Sequence, residues 1–280
     1  MSQAREISDV SVDVVIPVLN EAHVLEASTT KLRAFLMNSA GFKWRIVIVD
    51  NGSTDGTLDV AKRLATQYPE VAWMHLNVKG RGRALRETWH RSTADVVTYM
   101  DVDLSTELPA LPKLVRAIVQ EGYDIAIGSR LARGSTTKRC FKRELTSRAY
   151  NIILKCILFV RFSDAQCGFK AVTREVVERL VPLVKDQSWF FDTELLVLAE
   201  RQGYRIKDIP VKWIEDDDSR VKIIPTAWDD LKGVFRLRRM FWLQRLGLKA
   251  NQADVALPQP ADSLSSDVTA SSKQSSMHSS

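Results

Sequence analysis

Asp95-Val96-Val97-Thr98-Tyr99-Met100-Asp101-Val102-Asp103 is the stretch that decides the fold. Residues 95–100 are apolar and β-branched, the composition of a buried strand. The run ends in two carboxylates one residue apart. In open α/β sheets, ligands lie at the carboxyl ends of the strands. Two carboxylates about 5 Å apart repel by roughly 3 kcal/mol at an effective dielectric of about 20. A divalent cation relieves that repulsion. A few hard oxygen ligands suit Mg2+ or Mn2+, with the other positions left to phosphate oxygens and water. Alone, Asp-x-Asp is short and common, and also describes a solvated strand end. Its surroundings decide.

Outward from this strand, the first half of the chain alternates strand and helix patterns. Strands are expected at 12–16, 45–49, 71–76, 95–100 and 123–128, and helices at 21–37, 55–67, 82–92 and 111–121. Ser53 or Thr54 is placed to cap the second helix. The alternation predicts an α/β fold with a doubly wound, mostly parallel sheet flanked by helices. Continuous Val/Ile runs fit strands covered on both faces. The second half is less regular. Helices are expected at 144–159, 174–180 and 191–201, a strand within 204–213, and a long helix at 225–246 with Pro225 in its first turn, where proline is tolerated.

The 280 residues suffice for one large domain or two small ones. Residues 1–10 are expected to be flexible, 11–222 to form the main domain, 223–250 a basic amphipathic helix, and 251–280 a disordered tail. That tail is half serine from 263 onward, too poor in apolar side chains to offset the entropy of ordering. The net charge is +6, and the tail carries Asp254, Asp262, Asp267 and Lys273, so the body carries about +8. A basic body points to a phosphate-rich ligand or an anionic membrane surface. Cys140, Cys156 and Cys167 lack metal-ligand spacing and read as thiols of a reducing compartment. Residues 1–10 hold no apolar signal core, and no stretch approaches the ~18 apolar residues of a membrane span.

Three strand ends carry acidic or amide groups: Asn20-Glu21, Asp50 and Asp101/Asp103. A parallel sheet brings them to one edge. Val15-Ile16-Pro17-Val18-Leu19-Asn20-Glu21 and Val49-Asp50-Asn51-Gly52-Ser53-Thr54-Asp55-Gly56-Thr57 resemble the opening of a family 2 glycosyltransferase. The resemblance implies the GT-A fold, a nucleotide-diphospho-sugar donor and an Asp-x-Asp metal site. The second loop often reads Asp-Asp-Gly-Ser in that family; Asn51 departs from it. Gly128-Ser129-Arg130, Asp164-Ala165-Gln166-Cys167-Gly168-Phe169-Lys170 and Trp189-Phe190-Phe191-Asp192-Thr193-Glu194-Leu195-Leu196 follow in order. Together they resemble the polyprenyl-phosphate sugar synthases, most closely the dolichyl-phosphate β-glucosyltransferases, over roughly residues 12–245.

By that resemblance, Asp50 accepts hydrogen bonds from uracil or ribose, and Pro17, Asn20 and Glu21 line the same pocket; Asn20 also suits a helix cap. Lys79, in a Lys-Gly-x-Gly loop, would lie near the donor, as would Gln166, Trp189 and Arg220. Asp103 is the best metal ligand, with Asp101 supporting it or contacting the ribose. Relatives that add a ligand two residues on use Gln; here it is Ser105. The metal neutralises charge on the diphosphate leaving group. Arg130, Arg143, Ser147 and Arg148 would hold the acceptor phosphate, since guanidinium forks match phosphate and stay charged. Arg143 and Ser147 are four apart and share a helix face.

A phosphate acceptor has a second pKa of about 6 and arrives largely dianionic. The reaction then needs in-line positioning and leaving-group stabilisation rather than a base. A single displacement converts an α-linked donor into a β-linked product. Asp192 and Glu194 are candidate bases, and organisation of the sugar pocket is their preferred role. On the last helix, Trp228, Phe235, Phe241 and Trp242 mix with Lys232, Arg236, Arg238, Arg239 and Arg245, a composition for a membrane interface or for a packed helix with a basic face. The expectation is an enzyme using UDP-glucose, polyprenyl phosphate and Mg2+ or Mn2+, peripheral on the cytoplasmic face of a membrane and not bound to nucleic acid. Mannosyl transfer from GDP-mannose and a non-catalytic nucleotide-sugar module are the alternatives.

Overall fold

A computed structural model describes residues 6–138, 141–214 and 223–246, with the backbone alone for 141–143 and 223–227. Arg220, Cys140 and the tail at 251–280 lie outside the described residues, as does the side chain of Arg143. In chain order the elements are β1 (Ser11–Val18), α1 (Ala22–Ser39), β2 (Lys43–Asp50), α2 (Thr57–Gln67), β3 (Val71–His75), α3 (Arg81–Arg91), β4 (Val96–Met100), α4 (Leu111–Val119), β5 (Ile125–Ser129), β6 (Thr136–Lys138) and α5 (Phe141–Leu158). Then come β7 (Phe169–Thr173), α6 (Arg174–Arg179), α7 (Phe191–Arg201), β8 (Ile206–Pro210), β9 (Lys212–Ile214) and α8 (Ile223–Arg245).

Seven strands form one sheet in the order β3-β2-β1-β4-β7-β5-β8. All neighbours are parallel except β7, which runs antiparallel to both β4 and β5. The expected doubly wound, mostly parallel sheet is present. β7 was not foreseen: five residues with Lys170 second among them do not look like an interior strand. β6 and β9, three residues each, pair as a separate ribbon. The core also starts before residue 11. Val10 is buried, Ile7 packs against the apolar cluster, and Ile7–Asp9 form a short 3-10 turn.

Alternation along the strands divides the core. Val14, Ile16, Ile46 and Ile48 face α1, α2 and α4; Val15, Val47, Val97 and Tyr99 face α3, α5, α6, α7 and α8. Both faces are covered, which is why the central strands carry few polar side chains. The chain runs from β1 outward to β3, then returns to place β4 on the other side of β1. Open α/β sheets bind ligands in the crevice at such a reversal. The β1–β4 ladder ends at Val15–Tyr99, so Pro17 lies past it and its missing N–H leaves no rung unmade on that side.

α8 is seated by two contacts. Arg236 donates to both Glu194 oxygens, each at 2.8 Å, and Gly233 sits against the Phe190 ring. α8 has two faces: Val234, Leu237 and Phe241 are buried, while Trp228, Phe235 and Trp242 are exposed. Among the described residues, no helix is long and apolar enough to cross a membrane.

A Cβ on Gly233 would lie 2.5 Å from two Phe190 ring carbons. Gly233→Ala is therefore expected to lower unfolding stability by about 1–3 kcal/mol through overpacking. Phe235→Ala, at an exposed position, should change it by less than about 0.5 kcal/mol. Chemical denaturation of the two variants checks the difference.

Candidate active site

The first two loops are tied to each other. The Asn20 N–H donates to Ser53 Oγ at 2.9 Å, the Thr54 N–H to Asn20 Oδ1 at 2.8 Å, and the Glu21 N–H to Thr57 Oγ1 at 2.8 Å. Asn20 takes a positive φ of 59°, a conformation asparagine tolerates. Ser53 and Thr54 therefore do not cap α2; they bind the Asn20 loop, and Asn20 does not cap α1. α2 starts instead behind Asp55, which accepts the Thr57 N–H at 3.0 Å. Asp50 is fully buried at the end of β2. It accepts the Ser53 N–H at 3.3 Å, and its Oδ2 lies 2.6 Å from His75 Nδ1. Asn77 Oδ1 lies 2.8 Å from the other ring nitrogen. His75 went unremarked in the sequence because it contacts Asp50 only through the β2–β3 pairing.

Asp101 and Asp103 sit at the adjacent strand end. The Asp101 N–H donates to the Gly168 carbonyl at 3.2 Å, and a Cβ on Gly168 would collide with the Asp101 carboxylate. Glycine in the Ala-Gln-Cys-Gly-Phe-Lys motif is thus required by Asp101. Asp103 is exposed and accepts the Ser105 N–H at 3.0 Å. The Ser105 hydroxyl is buried and has no partner among the described residues, and it lines a small cavity with Asp101, Asp103 and Gly168. Two carboxylates beside an unpartnered hydroxyl fit the hard-oxygen requirement of Mg2+ or Mn2+. Ser105 thereby regains a place as a weak third ligand. Among the described residues, no group of three His, Cys, Asp or Glu side chains forms a metal cluster.

Arg81 connects this edge to the interior. It donates to Asp101 Oδ1 at 2.7 Å and to Asp192 Oδ2 at 2.6 Å. Its guanidinium lies 4.9 Å from the Tyr99 ring centre and 5.0 Å from that of Trp189. Asp192 also receives Lys170 Nζ at 3.1 Å and the Tyr99 hydroxyl. Burial pushes the Asp192 carboxyl up, but Lys170 and Arg81 outweigh it and hold the group below the ordinary carboxylate range. Burial and the Asp192 charge push the Tyr99 phenol well up. Asp192 is thus a pinned anion. The sequence assigned the loop 79–84 to Lys79, yet Lys79 is exposed and Arg81 turns inward. A Cβ on Gly80 would meet the Gln187 carbonyl oxygen at 2.5 Å, so the glycine pattern serves packing of α3 on the 185–189 segment.

Glu194 and Gln166 do not join this group through the contacts they make. Glu194 is buried on Arg236 and accepts the Asp186 N–H at 2.8 Å. Gln166 Nε2 donates to Asp230 at 2.6 Å. Burial, aided by the Asp186 charge and opposed by Gln166, pushes the Asp230 carboxyl up to about 7. Trp189 is half-exposed on Arg81.

The acceptor set divides. Arg130 is buried, and its Nε and Nη2 bind Asp164 at 2.7 and 2.9 Å. Burial lowers its pKa, but Asp164 outweighs that and the group stays charged. Its fork is already engaged. Ser147 is buried, and its hydroxyl has no partner among the described residues. Arg148 points outward and pairs with Glu144. Burial pushes the free Cys167 thiol up to about 12, so it is inert; Cys156 is free and exposed.

Three kinds of likeness accompany this geometry. The model of the family described as glycosyl transferase family 2 matches residues 13–181, more than half of the chain. Among curated proteins, the chain is 35% identical to Glycosyltransferase AglD of Haloferax volcanii over 79% of this chain and 36% of that protein. It therefore spans about a third of that relative's length. It is 27% identical to a dolichyl-phosphate beta-glucosyltransferase of Saccharomyces cerevisiae, over 83% of this chain and 74% of that one. A Drosophila melanogaster protein of the same name is 31% identical, over 74% of this chain and 68% of that one. Among solved structures, glucosyl-3-phosphoglycerate synthase from Mycobacterium tuberculosis bound to UDP superposes with a TM-score of 0.59 at 20% identity, covering 86% and 82% of the two chains. That likeness shows the GT-A fold.

The raised Asp230 carboxyl makes stability depend on pH. Its folded pKa of about 7 exceeds the unfolded value of about 3.9, so the folded state binds the proton more tightly. The contribution is full in acid and lost as pH rises toward 7. Stability is expected to fall by roughly 2–3 kcal/mol between pH 5 and 8. Asp230→Asn keeps the Gln166 hydrogen bond and should flatten that slope, as urea denaturation across the pH range will read.

Proposed function

The chain belongs to glycosyl transferase family 2, and on that premise we propose that it is an inverting transferase moving glucose from UDP-glucose to a polyprenyl, dolichyl-type phosphate. The observation that carries this reading is the state of Asp192. Asp192, a carboxylate buried beside the Asp101 edge, is locked by Arg81, Lys170 and Tyr99 and held anionic below the ordinary range. A sugar hydroxyl acceptor needs a positioned base. A phosphate acceptor does not, because it is already ionised near neutral pH.

The roles follow from position. Asp50, with the Pro17–Glu21 loop laced to it, receives the base and ribose. Asp101 and Asp103 would hold Mg2+ or Mn2+, which when bound supplies positive charge to the diphosphate leaving group. Arg81 orients Asp101 and adds charge behind it. Arg130, Arg143, Ser147 and Arg148 remain the proposed contacts of the acceptor phosphate, and Arg220 that of the donor diphosphate. Lys79, Gln166 and Trp189 remain proposed donor contacts, Trp189 by stacking and Gln166 through its seat on Asp230. Glu194 is proposed to act through Arg236 and α8. The curated relatives named as dolichyl-phosphate beta-glucosyltransferases support glucose and the lipid phosphate. Solved neighbours holding Mn2+ with UDP-glucose support the donor and the metal.

A peripheral place at a membrane's cytoplasmic surface is part of the proposal. Trp228, Phe235 and Trp242 recur at intervals of seven on α8 and are all more than half exposed. Leu145, Ile152 and Phe159 do the same on and just past α5, which packs against α8. Interfacial helices combine such apolar stripes with basic residues.

Radiolabelled UDP-glucose with polyprenyl phosphate tests the reading. Transfer is expected, lost on chelation and restored by Mn2+ or Mg2+. The rate should stay level above about pH 7, where the acceptor is dianionic. Asp103→Ala should cost about 100-fold or more, the scale of lost metal charge stabilisation. Transfer from GDP-mannose alone would overturn the donor; undiminished activity in Asp103→Ala would overturn the metal role.

A further inference from the structure

At the opposite end of the sheet, the amino-terminal ends of β5 and β8 and the carboxyl-terminal ends of α5, α7 and α8 surround a cavity of about 1400 Å³. That exceeds the roughly 300–1,000 Å³ of typical small-molecule sites. Its charge is one-sided. Arg161, Arg201, Arg238 and Arg245 line it, and none has a carboxylate partner among the described residues. The two acids present are engaged by the backbone. Glu200 accepts the N–H groups of Arg161 and Phe162 at 2.9–3.0 Å, and Asp208 accepts that of Ser163 at 3.0 Å.

The arginines are pre-set rather than loose. Arg201 lies 4.3 Å from the Phe241 ring centre, and Arg238 lies 5.4 Å from that of Phe159. Stacking occupies the guanidinium face and leaves the N–H edge for a ligand. Phe159 holds a left-handed φ of 57°, unusual for a bulky residue, and is 69% exposed at the rim. Trp242, also exposed, lines the same cavity. Phe159 directly follows α5, its N–H donating to the Lys155 carbonyl at 3.1 Å, so the end of that helix sets its ring at the rim.

We propose that this cavity binds a phosphate-bearing amphiphile, the phosphate on Arg201 and Arg238 and the apolar body on Phe159 and Trp242. Forked guanidinium groups match phosphate oxygens, and the volume and the aromatic rim accept more than a bare ion. No residue of this site belongs to the carboxylate edge, while Phe159 and Trp242 also belong to the apolar stripes of the proposed membrane face.

Isothermal titration of the full chain tests it with monomeric dihexanoyl phosphatidate, dihexanoyl phosphatidylcholine and inorganic phosphate. Phosphatidate should bind at least tenfold more tightly than either of the others. Arg201→Gln/Arg238→Gln should weaken it at least tenfold. An unchanged affinity in that variant places binding elsewhere and overturns the proposal, as does the absence of saturable phosphatidate binding. Inorganic phosphate matching phosphatidate makes the source a free phosphate and overturns the amphiphile. Should the double variant not fold, Trp242→Ala at the exposed rim is expected to weaken phosphatidate at least fivefold and leave inorganic phosphate unchanged; unchanged phosphatidate binding overturns the proposal.

Discussion

The buried ion cluster around Asp192 is the constraint on which the rest depends. Taking a carboxylate and an ammonium out of water costs several kcal/mol each unless both are well paired. Asp192 and Lys170 are each almost fully buried, so neither is tolerable without the other. Their pairing forces α7, which carries Asp192, against the inserted strand β7, which carries Lys170. Tyr99 extends the cluster to β4 and Arg81 to α3. Four elements are thus fixed by one set of charges. Arg81 then reaches Asp101, so the same charges that order the interior aim the carboxylate at the crevice.

Charge pairing elsewhere decides which cations face a ligand. Arg130 is bound by Asp164 and Arg236 by Glu194, and both acids are buried. A net positive body does not by itself say where the positive potential is. It lies where arginines lack acids, and among the described residues that condition is met most fully at the far cavity. The basic character read from composition therefore divides into a structural part, neutralised inside, and a part presented outward.

The sheet was largely legible because its parallel strands are continuous Val/Ile runs between amphipathic helices, a pattern set by burial on both faces. The crevice was legible for the same reason: strand-end residues share an edge whatever the loops do. β7 was not, since its buried Lys170 is explained by partners distant in sequence, Asp192 on α7 and Tyr99 on β4. Arg81 was missed in favour of its neighbour Lys79 because its two partners lie 20 and 111 residues away. Glu194 and Gln166 were singled out for the sugar pocket and the donor, and the partners the structure gives them are Arg236 and Asp230 on α8. Spacing along the chain carries no trace of contacts at such separations.

Those last two contacts alter what the late motifs do. Gln166 follows the α5 region and Glu194 lies in the first turn of α7, and both reach α8. α8 is also the helix that exposes Trp228, Phe235 and Trp242. On the proposed function, the surface that meets the lipid is therefore set by the same segments that supply Gly168 beneath Asp101 and Asp192 beneath Arg81. An in-line reaction between a membrane-borne phosphate and a donor held at the crevice needs a fixed distance between membrane and strand ends. A helix tied to the motif residues by one part-buried ion pair and one part-buried hydrogen bond serves that fixed distance.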